Sequence, residues 1–125
     1  MTRLSIVIPC FNEEATLETC VNNVLDIQDD QLSLDLIIVD DASTDDSLKI
    51  ALELEKKHEE VRVFHHKINQ GKGAALSTGF KHAQGDFVAV QDADLEYDPF
   101  DLKRLIKPLV SGKADVVLGS RFLST

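Results

Sequence analysis

Short runs of valine, isoleucine and leucine recur along this chain, and between them apolar positions fall three or four residues apart. Leu4-Ser5-Ile6-Val7-Ile8 predicts a first strand with Pro9 as its stop, and Leu17, Val21, Val24 and Leu25 predict a helix from about Glu14 to Leu25. Leu36-Ile37-Ile38-Val39 is a second strand ended by Asp40-Asp41. Ser43 with Asp46 three residues on reads as a capping box for a helix carrying Leu48, Ala51, Leu52 and Leu54. Val61-Arg62-Val63-Phe64 is a third strand, Gly71 to Ala83 a third helix, and Asp86 to Val90 a fourth strand. Asp98-Pro99, a cap followed by proline, starts a fourth helix that Gly112 ends. Asp115-Val116-Val117-Leu118 is a fifth strand, and no internal repeat is visible.

Val, Ile and Leu runs without polar alternation are the mark of parallel strands covered on both faces. The pattern therefore predicts an α/β fold: a doubly wound, mainly parallel sheet with helices on both faces. Such sheets bind ligands beyond the carboxyl ends of their strands. Those ends are Pro9-Cys10-Phe11-Asn12-Glu13, Asp40-Asp41-Ala42-Ser43, Gln91-Asp92-Ala93-Asp94 and Gly119-Ser120-Arg121. Carboxylates occupy all but the last, which carries an arginine.

Charge narrows the partners. The 125 residues hold 13 Lys and Arg against 22 Asp and Glu, a formal charge of −9. That balance leaves no electrostatic footprint for nucleic acid, whereas clustered acids can hold a cation that bridges to an anionic substrate. No window approaches the roughly 18 consecutive apolar residues of a membrane span, and Met1 leads straight into a strand with no signal-peptide pattern. Cys10 and Cys20 lie in apolar patterns and read as small buried thiols of a reducing compartment.

Asp92-Ala93-Asp94-Leu95-Glu96 is the most informative segment. In a chain extended past Val90, side chains 92, 94 and 96 share one face, where three carboxylates repel unless a cation or donors lie between them. Hard divalent ions such as Mg2+ take oxygen ligands and keep substrate phosphates in their shell. The same spacing also serves a solvated acidic loop that caps the next helix. Asp40-Asp41 can accept from a ribose or a base N–H, or build a turn and cap. Asn69-Gln70-Gly71-Lys72-Gly73 lacks the spacing of a phosphate loop and reads as a tight turn into a small-residue helix, from which Lys72 can still reach a phosphate. Arg121 can clamp a phosphate or form a surface ion pair. His58, His65 and His66 have no second ligand at metal spacing and are expected on the surface.

Taken in order, these segments resemble the family 2 glycosyltransferases of the GT-A fold. The resemblance spans essentially the whole chain, and Gly71-Lys72-Gly73, Asp92-Ala93-Asp94-Leu95 and Gly119-Ser120-Arg121-Phe122 point to the dolichol-phosphate mannose synthases and related bacterial polyprenyl-phosphate glycosyltransferases. It implies that Pro9, Phe11 and Glu13 pack around the nucleoside, with Phe11 where the family often has tyrosine. Val39 and Asp41 match the base-binding edge, and Asp92, Ala93 and Asp94 the metal and diphosphate motif. Glu96 stands where relatives often have glutamine, as a third metal ligand for Mg2+ or Mn2+. Arg121 matches an arginine that binds phosphate, so Asp94 and Arg121 are the catalytic candidates.

The implied reaction is transfer of a hexose from a GDP- or UDP-sugar to a lipid-linked phosphate or a saccharide, foremost polyprenyl phosphate, with inversion. The family's catalytic domain runs on past Arg121. Residues 1–125 are thus expected to be the nucleotide-sugar-binding part of a longer cytoplasmic protein, inactive when isolated, with membrane association only through other segments. A receiver-type signalling domain has similar length, but needs an acid pair after the first strand and an aspartate after the third. Pro9-Cys10 and His65-His66 stand there instead. A fragment that holds nucleotide without turnover is the other alternative.

Overall fold

The computed structural model describes residues 2–94, 98–100, 103–104 and 122–124. In chain order the elements are β1 (Thr2–Cys10), α1 (Leu17–Leu25), β2 (Leu32–Asp40), α2 (Ser47–Lys57), β3 (Val61–His65), α3 (Lys72–His82), β4 (Phe87–Val90) and β5 (Phe122–Ser124). The sheet order is β3-β2-β1-β4-β5, parallel except for β5, which runs antiparallel beside β4 with Ala89 opposite Phe122. The α/β reading therefore holds. The expected fifth strand at 115–118 lies outside the described residues, and the edge strand falls at Phe122–Ser124.

Alternation within the apolar runs builds both layers. Leu4, Ile6, Ile8 and Cys10 of β1 join Leu34, Leu36 and Ile38 of β2 under Leu17, Val21 and Val24 of α1 and Ala51 and Leu54 of α2. The intervening residues Val7, Ile37 and Val39 face the other way, onto Ala75 of α3. There the helix comes so close that a Cβ on Gly79 would collide with the Val7 methyls. Two crossovers thus step outward to β3 beneath one helical layer, and the third returns past β2 and β1 beneath the other. This reversal opens a crevice at the carboxyl ends of β1 and β4.

Three boundaries differ from expectation. Strand β1 runs through Pro9, which pairs with Val39 although proline in a central strand would forfeit a ladder bond. Gln91 N–H donates to the Val7 carbonyl, so Val7 and, two residues on, Pro9 present their backbone groups toward β4. Strand β4 ends at Val90, beside Val7, so among the described residues no strand partner on that side requires a Pro9 N–H. Helix α1 starts at Leu17 rather than Glu14: the Glu13 carbonyl takes Thr16 N–H at 3.1 Å and Leu17 N–H at 2.9 Å in a preceding turn, and the Thr16 hydroxyl donates to the Ala93 carbonyl at 2.6 Å instead of capping the helix. Helix α2 starts at Ser47 with Asp46 as cap and no side-chain cap bond. Ser43, expected to cap it, instead donates its hydroxyl to Asp40 at 2.6 Å and accepts from Asn12 N–H at 2.9 Å.

Candidate functional site

A cavity of about 690 Å³ fills the crevice. Pro9, Cys10, Phe11 and Glu13 line it from the end of β1, Asp41 from just after β2, Asn69 and Gly71 from the β3–α3 turn, Lys72 and Ala75 from the start of α3, and Asp92, Ala93 and Asp94 from the segment after β4. The β1 and β2 ends turn sharply, with positive φ at Asn12 (54°) and Ala42 (61°). Asn12 suits that conformation because its side-chain carbonyl takes the Thr44 N–H at 2.8 Å. Phe11 is left 46% exposed beside the opening, a flat apolar surface at the mouth.

The two aspartates that follow Val39 divide the work. Asp40 builds the turn, taking both the N–H and the hydroxyl of Ser43. Asp41, 4% exposed, faces the cavity and organises its far wall. Its Oδ1 accepts from Gln70 N–H at 2.9 Å and lies 2.8 Å from His66 Nδ1, while Oδ2 accepts from Gly71 N–H at 2.8 Å. Gly71 takes φ 96°, a conformation that suits glycine, and the next residue opens α3. Among the described residues Oδ2 accepts from Gly71 N–H alone, which leaves it a second acceptor position.

Burial alone would raise the Asp41 pKa, but donation from Gln70, His66 and Gly71 outweighs it and holds the carboxyl below its usual range. A group depressed in the folded state contributes stability that is complete above its unfolded pKa of about 3.9 and is lost as pH falls through the folded value. Urea midpoints should therefore stay level in this contribution at neutral pH and fall on the acid side. Asp41→Asn should flatten that acid limb; an unchanged limb would show that other carboxylates set it.

Lys72 sends its ammonium across the cavity to Asp92 Oδ1 at 2.7 Å, and among the described lining residues it is the one cation against Glu13, Asp41, Asp92 and Asp94. Strand β4 stops at Val90 and the chain turns at Ala93 and Asp94, so the extended geometry expected through this segment is not kept. Both Asp92 and Asp94 nevertheless line the cavity. The Ala93 carbonyl is taken by Thr16, and its side chain is packed into the core at 2% exposure. Among the described residues no cluster of three His, Cys, Asp or Glu could enclose a metal. Mg2+ commonly takes only one or two carboxylates and completes its shell with phosphate and water, a ligand set that Asp92 and Asp94 on one cavity wall fit.

Pro9, Phe11, Glu13, Asp41, Lys72, Asp92, Ala93 and Asp94 converge on the cavity. Val39 does not line it, being fully buried against α3 with Val7 and Ala75. Glu96 and Arg121 lie outside the described residues. Burial pushes both Cys10 and Cys20 up to about 12, which leaves them inert thiols. His66 is not a surface residue: its side chain is 10% exposed and bonded at both ring nitrogens. Strand alternation carried one residue past β3 puts His66 on the face of Phe64, the one hint in the sequence, while the Asp40–His65 register that sets it beside Asp41 is visible only in the fold.

Residues 5–125 match the family model for glycosyl transferase family 2. The chain is 34% identical over 121 residues to a dolichol-phosphate mannosyltransferase of Pyrococcus furiosus, covering 97% of this chain and 34% of that protein. It is 33% identical to the UDP-N-acetylglucosamine–dolichyl-phosphate N-acetylglucosaminyltransferase of Methanococcus voltae, covering 93% of this chain and 51% of the relative. This chain thus spans a third to a half of these two relatives. Among solved structures, a mannosyltransferase of Pyrobaculum calidifontis in complex with GDP-Man and Mn2+ superposes with a TM-score of 0.65 at 30% identity, over 74% of this chain and 28% of that one. Glucosyl-3-phosphoglycerate synthase of Mycobacterium tuberculosis with UDP gives 0.72 at 30% identity, over 91% and 42%.

Proposed function

The chain belongs to glycosyl transferase family 2 and has the GT-A fold, and from that premise we propose that it is the donor-binding part of a metal-dependent enzyme that transfers a hexose from a GDP- or UDP-sugar to polyprenyl phosphate with inversion. The observation that carries the reading is the convergence of Asp92, Asp94, Lys72 and Asp41 on one cavity at the strand reversal. The relatives named for dolichol-phosphate acceptors support the lipid, and the GDP-Man and Mn2+ complex supports the donor and the metal.

In this reading Phe11 lies against the base and Asp41 offers its remaining acceptor position to the nucleoside. Asp92 and Asp94, with Glu96, hold Mg2+ or Mn2+, which when bound neutralises charge on the departing diphosphate. Lys72 and Arg121 steady phosphate oxygens. A phosphate acceptor is already anionic, so no general base is needed and rate rests on positioning and electrostatic stabilisation. Among the described residues no helix is long and apolar enough to cross a membrane. The lipid acceptor places the reaction at a membrane surface, on the cytoplasmic face that nucleotide sugars reach, with contact to the lipid assigned to segments other than those described.

Incubating the full-length enzyme, rather than residues 1–125 alone, with labelled GDP-mannose or UDP-glucose, Mn2+ and polyprenyl phosphate tests the assignment. Labelled glycolipid is the expected product; donor hydrolysis alone would reject the acceptor. Lys72→Met should weaken binding of nucleoside diphosphates by about fivefold, the worth of one half-exposed charge contact, and leave nucleoside binding unchanged. Equal losses for nucleoside and diphosphate would move Lys72 off the phosphate.

A further inference from the structure

His66 takes no part in the chemistry assigned above, yet its contacts reach both the cavity wall and the helix behind it. Nδ1 is 2.8 Å from Asp41 Oδ1 and Nε2 is 2.8 Å from the Thr78 hydroxyl, so the ring cannot turn without losing a hydrogen bond. A carboxylate only accepts, which puts a proton on Nδ1; in the neutral ring Nε2 then accepts from Thr78. The backbone fixes the same residue, because His66 N–H donates to the Asp40 carbonyl at 2.9 Å. The chain of contacts continues outward. Asp41 holds Gln70 N–H and Gly71 N–H, and Gly71 leads directly into Lys72. Asn69 closes the turn from its other end by donating to the Asp41 carbonyl at 3.1 Å.

Resting on the nucleotide-sugar reading of the cavity, we propose that His66 is a positioning residue for donor binding: braced on Thr78, it fixes the Asp41 carboxylate and through it the 69–71 turn that delivers Lys72 to the cavity. Asp41 alone can rotate about its terminal torsion, and its two oxygens must stay in register with two successive backbone N–H groups. A donor locked on α3 removes that freedom before the ligand arrives, the kind of support that keeps a binding group in its working geometry.

The two ring nitrogens make the test specific. Asparagine carries an amide nitrogen near the place of Nδ1 and can still donate to Asp41; glutamine reaches toward Thr78 but gives Asp41 no donor. Calorimetric titration with GDP and UDP in Mn2+ should show His66→Asn within about threefold of wild type. His66→Gln and His66→Leu should bind about tenfold more weakly, the scale of one lost hydrogen bond to a charged group. In the nucleotide-free protein the amide proton shifts of Gln70 and Gly71 should move in His66→Gln and stay in His66→Asn. Should His66→Leu fail to fold, the Asn and Gln pair decides. Equal affinities for that pair, whether both high or both low, would overturn the proposal, as would unmoved amides in His66→Gln. Absence of nucleotide binding by the wild type would instead reject the reading of the cavity on which the proposal stands.

Discussion

Asp35→Ala is expected to cost the fold about 3–5 kcal/mol, the range for removing one partner of a buried ion pair. Asp35 is 1% exposed in β2, at the end of the sheet away from the cavity. Its Oδ1 takes Nε and Nη2 of Arg62 at 3.1 and 2.8 Å, and its Oδ2 takes the Ser5 hydroxyl at 2.7 Å and Gln84 N–H at 2.9 Å. One carboxylate thus ties β1, β2, β3 and the segment after α3. Alanine leaves the Ser5 hydroxyl without its acceptor and strips one from Arg62 and from Gln84 N–H, although Arg62 keeps the His82 carbonyl at 2.6 Å and is 30% exposed and Gln84 N–H keeps the Ser5 hydroxyl oxygen at 3.2 Å, which places the loss toward the lower end. Against a total stability of about 5–15 kcal/mol, that loss is large. Urea unfolding measures it directly. Replacing Asp35 and Arg62 together with apolar residues of similar size should recover much of it. A single-variant loss below about 1 kcal/mol would mean that water already satisfies the cluster.

Asp41→Ala should be nearly as costly and should also damage the site. It removes the acceptor for Gln70 N–H, Gly71 N–H and His66, and in part-buried surroundings each donor left unsatisfied costs toward the lower end of about 1–3 kcal/mol. We expect about 3 kcal/mol or more from the urea midpoint, with nucleotide affinity down by about tenfold to a hundredfold. Asp41→Asn keeps one acceptor oxygen and should lose less on both counts. If Asp41→Ala binds GDP and UDP like wild type while folded, Asp41 neither meets the nucleoside nor shapes the wall that does.

Much of this architecture can be read from the chain because the information is local. Runs such as Leu36-Ile37-Ile38-Val39 bury both faces of a parallel strand whatever their neighbours are, and the acids after β4 follow from where such a run stops. Features that depend on register are hidden. Asp35 precedes an apolar run and looks like a polar flank, but pairing with Ser5 carries it inside and lengthens β2 back to Leu32. His66 meets partners 25 and 12 residues away, and no local pattern announces either. Pro9 reads as a stop because proline usually is one; only the length of β4 shows that, among the described residues, no strand partner stands opposite its missing N–H. Helix starts failed for a related reason. Periodicity locates the buried face of α1 and α2, while the hydroxyls expected at their starts are used elsewhere, Thr16 on the distant Ala93 carbonyl and Ser43 within the turn that Asp40 builds.

The central claim is that Asp92 and Asp94 form a metal-assisted nucleoside diphosphate site, and calorimetric titration of GDP and UDP with and without Mn2+ or Mg2+ tests it most directly. An ion shared between the carboxylates and the diphosphate should tighten binding by at least about tenfold, or about 1.4 kcal/mol. Asp92→Ala should abolish that gain while leaving the weak metal-free affinity. Equal affinity in the presence and absence of metal, or a gain that survives Asp92→Ala, would contradict the account.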